Sequence, residues 1–89
     1  MDIANLVQAT AGREQGKYFF ILETEGEYLL LADGKRRKAA RPKRKKLRHI
    51  QLLAPCPQEF DHPALEKLRQ TGSATDPELR RALAAFKGR

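Results

Sequence analysis

The chain is poor in the residues that most catalytic and membrane proteins depend on. It has one cysteine, Cys56, among 89 residues, so no internal disulfide can form, and the usage fits a reducing compartment. Its two histidines, His49 and His62, together with Cys56 fall short of the donor set of a four-ligand zinc site. There is no GxxxxGK[ST] phosphate loop and no Ser-nucleophile motif. No apolar stretch approaches the ~18 residues of a membrane span. The opening MDIANLVQ lacks a charged segment followed by a hydrophobic one, so a cytoplasmic protein is expected, or a nuclear one in a eukaryote. There is no internal repeat. With 40% apolar residues, a chain of this length forms one small domain that buries roughly 60 to 65% of its unfolded surface. The reading is that it is not an enzyme, binds no cofactor or metal, and has no small-molecule substrate.

One further absence is local. From Lys35 to Arg48, KRRKAARPKRKKLR, there is no acidic residue, and ten of the 18 Lys and Arg lie there. The remaining eight face all 11 Asp and Glu, so a body of net charge −3 carries a run of +10. Charge so concentrated makes an anion-binding surface, the footprint of contact with nucleic-acid phosphates. A solvated loop, or an import signal read by a receptor, would show the same charge pattern. The run is internal, however, and its flanks read as ordered. Asp33-Gly34 before it is a tight-turn pair. Leu47 to Leu52 after it reads as a half-buried strand. Pro42, with no N–H, suits a loop or sheet edge.

Ile3 to Ala9 is a plausible first strand, followed by Ala11-Gly12-Arg13-Glu14-Gln15-Gly16-Lys17 as a loop. Lys17 to Thr24 and Tyr28 to Asp33 are strands around a Glu25-Gly26-Glu27 turn. Tyr18 to Leu22 and Leu29 to Leu31 are continuously apolar, so both faces of these strands need cover. One face points into a small barrel and the other needs a second layer. After the break Ala54-Pro55-Cys56-Pro57, a helix is expected over Ala64 to Gln70, stopped by Gly72. A second begins at Thr75-Asp76-Pro77-Glu78, which has capping-box spacing. Its apolar residues Leu79, Ala82, Leu83 and Phe86 form one stripe, and Gly88 ends it.

The Gly-Arg-x-x-Gly-Lys loop, the apolar strand after it, Asp33-Gly34-Lys35 and the basic run into KKLRHIQ together resemble the KOW motif. They are similar to bacterial KOW-domain RNA-binding proteins, which are related to KOW proteins of the archaeal and eukaryotic large ribosomal subunit. Asp76 to Leu83 also resembles the C-terminal helix of short bacterial members. The resemblance covers Leu6 to Leu53. It implies a small SH3-like barrel. The C-terminal helices read above are not part of the minimal motif, and together the expected fold is mainly β with C-terminal helices: an SH3-like barrel over residues 1–54, then a helical hairpin over 55–89 packed on it. The resemblance also implies RNA binding, with ribosomal RNA or the ribosome as partner and a role in translation.

The expected contact residues are Gly12, Arg13, Gly16 and Lys17 in the first loop, and Lys35, Arg36, Arg37, Lys38, Arg41, Lys43, Arg44, Lys45, Lys46 and Arg48 in the run. With Tyr18, Phe19, Phe20 and Phe86 assigned to the core, recognition by RNA shape and backbone is expected, not stacking of bases on aromatics. A protein-interaction module, with a partner docked through the C-terminal helices, and a duplex-DNA binder are the alternative readings.

Overall fold

The computed structural model describes all 89 residues. Five strands, β1 (Leu6–Ala9), β2 (Tyr18–Glu25), β3 (Tyr28–Ala32), β4 (Lys43–Lys46) and β5 (Ile50–Ala54), precede two helices, α1 (Pro63–Thr71) and α2 (Asp76–Lys87). The sheet is antiparallel throughout, in the order β4-β3-β2-β1-β5. A single 3-10 turn, Leu47–His49, carries the chain from one edge strand to the other. It is tied at both ends: Leu47 N–H donates to Glu27 O at 2.8 Å, and His49 O accepts from Thr10 N–H at 2.9 Å. The expected mainly-β barrel with a C-terminal helical hairpin is thus what the chain forms.

The continuously apolar strands are covered on both faces. Val7, Ala9, Phe19, Ile21, Leu29, Leu31 and Ile50 fill the inside of the curled sheet. Leu6, Phe20 and Ala32, whose side chains alternate to the other face, pack with Ala54 and Cys56 against Leu65, Leu68, Leu79 and Ala82 of the helices. Burying such side chains supplies about 1.5–3 kcal/mol each, so the helical hairpin completes the core. Phe86 meets Phe60 and Tyr18 edge-on, at 5.4 and 6.2 Å between ring centroids.

The helix ends follow their local signals. Thr75 and Glu78 form the reciprocal capping box, and Gly72 closes α1 in the left-handed conformation, φ +79°. His62 is the N-cap of α1, its Nδ1 accepting from Ala64 N–H at 3.1 Å.

Three boundaries differ from the sequence expectation. The first strand begins at Leu6, because Ala4 takes a left-handed backbone (φ +74°) and the Asn5 side chain accepts from Asp2 N–H. The expected strand Leu47 to Leu52 is broken: residues 47–49 make the 3-10 turn that bridges the sheet edges, and the strand runs Ile50–Ala54. His49 is therefore in that turn. Finally, Lys43–Lys46, within the basic run, is itself a strand, paired with Leu31 to Tyr28 of β3. Lysine-rich sequence is a poor intrinsic strand former but a common composition for an exposed edge, and Pro42 falls just before it.

Candidate nucleic-acid interface

The segment from Asp33 to Pro42, between β3 and β4, is held by its own Asp33 and by side chains from two other places, α2 and the loop around Glu14. Asp33 is buried, and its Oδ1 accepts from the N–H groups of Lys35 and Arg37, both at 2.9 Å. Asp33 and Gly34 N–H donate back to Arg37 O at 3.1 Å. Instead of a two-residue hairpin turn, Asp33-Gly34 thus opens a longer, internally bonded loop. Gly34 has φ +78°, and a Cβ there would stand 2.3 Å from Asp76 O. The first turn of α2 is seated directly on this glycine. From that helix the Asp76 carboxylate accepts from Ala39 N–H at 2.7 Å, and Arg80 Nη1 donates to Gly34 O at 2.7 Å.

Glu14 fastens the two loops to each other. Its carboxylate takes both prongs of Arg37, at 2.7 and 2.9 Å, and lies 3.8 Å from Lys43. The Arg37 hydrogen bond holds the Glu14 carboxyl below its ordinary range, against the opposing effect of burial. Gly12 and Gly16, both with positive φ, shape the loop that presents Glu14.

In β4 the strand alternation divides the cations. Lys43 and Lys45 pair with Leu31 and Leu29, on the barrel-interior face. Lys45 is 9% exposed, its stem inside the barrel and its Nζ donating to Ala11 O at 2.6 Å. Arg44 and Lys46 lie on the opposite face. The Arg44 guanidinium stacks 3.6 Å from the centroid of Tyr28 and lies 3.4 Å from Glu25, while Lys46 Nζ is 5.9 Å from the same ring.

Of the twelve expected cationic contacts, then, Arg37, Lys43, Arg44 and Lys45 are engaged inside the protein. Lys45 in particular is a structural residue, because its ammonium is taken up by a carbonyl and its stem by the core. Arg13, Lys17, Lys35, Arg36, Lys38, Arg41, Lys46 and Arg48 make no ion pair, and all but the half-buried Lys46 are exposed.

These eight are not one cluster. Lys46 and Arg48 line a recess of about 310 Å³ with Glu27 and Leu47, at the far end of β4 from the basic loop. Lys17, Lys35 and Arg36 instead converge on an open cleft of about 440 Å³ between the loops and α2, whose other walls are Tyr18, Asp33, Arg80, Leu83, Ala84 and Lys87. A second recess of about 370 Å³ shares Lys17, Tyr18 and Lys87 with it and adds Gly16.

Arg80 and Lys87 were missed as site residues, and so was Tyr18, which is half-buried and lines both recesses. A signal for the first two was present: positions 80, 84 and 87 fall on one helix face at i, i+4 and i+7. What that face would meet was not in the local sequence.

No group of three or more His, Cys, Asp or Glu is placed to hold a metal ion. Cys56 is buried, and burial pushes its thiol above the ordinary value. No helix is long and apolar enough to cross a membrane. No protein-family model matches the chain, and no curated protein matches it.

Proposed function

We propose that this is a KOW-type RNA-binding protein of the cytoplasm that recognises structured RNA, ribosomal RNA foremost, through the loop around Gly12 to Lys17 and the basic loop Lys35 to Arg41. The observation that supports this most is the division of labour among the cations. Glu14, Asp33 and Asp76 hold the two loops in place, yet Arg13, Lys17, Lys35, Arg36, Lys38 and Arg41 keep no acidic partner. Fixing such loops before binding removes part of the ordering cost of association. Unpaired arginines grip phosphate oxygens with two N–H groups, while lysines act as point charges. The protein performs no catalysis in this reading; it adds a positively charged, shape-matched surface to RNA in the translation apparatus.

The test is affinity for a folded RNA across a salt series. With about five phosphates neutralised, log K falls against log salt with a slope of roughly −3.5 to −4.5. A slope near zero would refute phosphate contact. Replacing Arg36 and Lys38 by Ala should make the slope shallower by about 0.7–0.9 per lost contact.

A further inference from the structure

The cleft between α2 and the two loops has more than phosphate backbone requires. Phosphates need charge, and the cleft supplies it from Lys17, Lys35, Arg36, Arg80 and Lys87 against one carboxylate, that of Asp33. Asp33 already serves two backbone N–H groups, and the hydrogen bond of Arg80 goes to Gly34 O, a neutral acceptor that leaves its charge uncompensated. The wall of the cleft, however, is apolar and aromatic: Tyr18 with Leu83 and Ala84.

Tyr18 is held by the edge-to-face contact with Phe86 at 6.2 Å, and Lys87 Nζ stands 5.5 Å from its ring centroid. Lys87 is exposed, and the flexible four-carbon stem of a lysine lets its ammonium move from the ring to a phosphate. At about 440 Å³ the cleft lies within the roughly 300–1,000 Å³ typical of ligand pockets. A flat aromatic ring beside a ring of cations matches an unpaired nucleotide, whose base stacks while its phosphates take the charges. A fully paired A-form helix offers no free base to such a wall.

We infer that this cleft receives a single unpaired nucleotide of a structured RNA, its base against Tyr18 and its flanking phosphates on Lys17, Arg36, Arg80 and Lys87. The C-terminal helix α2 is then part of the RNA-contacting surface. This rests on the RNA-binding reading above and narrows its substrate to bulged or looped-out RNA.

The experiment is fluorescence anisotropy with two labelled RNA hairpins, identical except for one unpaired nucleotide in the stem of one, at a fixed salt concentration. The full-length protein should prefer the bulged hairpin by about tenfold, the scale of one base–aromatic stack. Tyr18→Leu should lose that preference, and Tyr18→Phe should retain it. Lys87→Ala, at an exposed site, should weaken the bulged complex more than the perfect one and guards against misfolding of the Tyr18 variants. Equal affinity of the wild type for both hairpins overturns the inference and leaves RNA binding standing. Failure to bind either hairpin at low salt overturns the RNA reading and this one with it. A glutamate-rich peptide that displaces the bulged RNA as well as unlabelled bulged RNA does would assign the cleft to an acidic protein segment and also overturn the inference.

Discussion

If α2 is seated on the basic loop through Gly34, adding one methyl group there should cost far more than adding it at another glycine of the same conformation. Gly34 (φ +78°) and Gly16 (φ +85°) share the left-handed backbone, but a Cβ at Gly34 meets Asp76 O at 2.3 Å and Leu79 Cβ at 3.1 Å, whereas one at Gly16 meets nothing within 4 Å. The conformational strain for a non-glycine residue is about 1–2 kcal/mol, and about 0.4–1 kcal/mol is recovered by stiffening the unfolded chain. Gly16→Ala should therefore destabilise by about 1 kcal/mol or less. Gly34→Ala carries the same strain plus an overpacking cost of about 1–3 kcal/mol, because the obstacle is backbone and cannot rotate away. Moving α2 to relieve the clash would also strain the Asp76 bond to Ala39, whose net worth is about 1 kcal/mol.

The expected loss for Gly34→Ala is thus about 2–5 kcal/mol, a large part of the roughly 4–13 kcal/mol that a domain of this size possesses. Urea unfolding followed by far-UV circular dichroism, with unchanged m values, measures both variants on one scale. Losses agreeing within about 0.5 kcal/mol, the ordinary range of a benign surface change, would refute the close seating of α2 on the loop.

Lys45→Met should leave the salt dependence of RNA binding unchanged, since the ammonium is bonded to Ala11 O and never reaches a phosphate; its measured stability should change by about 1 kcal/mol or less. A slope shallower by a full phosphate contact would return Lys45 to the interface. The Glu78 carboxyl is lowered to about 2, first by the Lys67 hydrogen bond and then by Thr75 N–H. A depressed folded-state value means that its contribution is full above the ordinary value near 4.5 and is lost as pH falls toward 2. Glu78→Gln should accordingly lower stability at neutral pH and flatten the loss across that acid range in urea titrations. An equally steep acid loss in the variant would show that other carboxylates govern it.

Much of the fold is written locally. The apolar runs of β2 and β3, the Thr75 to Glu78 box and the Gly72 stop each depend on residues within a turn or strand of one another. Short-range chemistry is enough to place such elements. β4 was not legible in this way: Lys43, Arg44, Lys45 and Lys46 have no strand-forming character of their own, and their conformation comes from the hydrogen-bonding edge of β3. The 3-10 turn at Leu47 likewise answers to the distance between two sheet edges, which no local pattern encodes.

The site divides along the same line. The order of residues alone determined that ten cations without a carboxylate lie between Lys35 and Arg48 and that the rest of the chain is net acidic. Only the tertiary structure decided which of those cations remain free. Arg37 finds Glu14 across 23 positions, Ala39 finds Asp76 across 37, and Gly34 finds Arg80 across 46. Pairing is a matter of a few ångströms in space, and packing α2 against the sheet brings those distant residues together. The same packing puts Arg80, Lys87 and Tyr18 around one cleft.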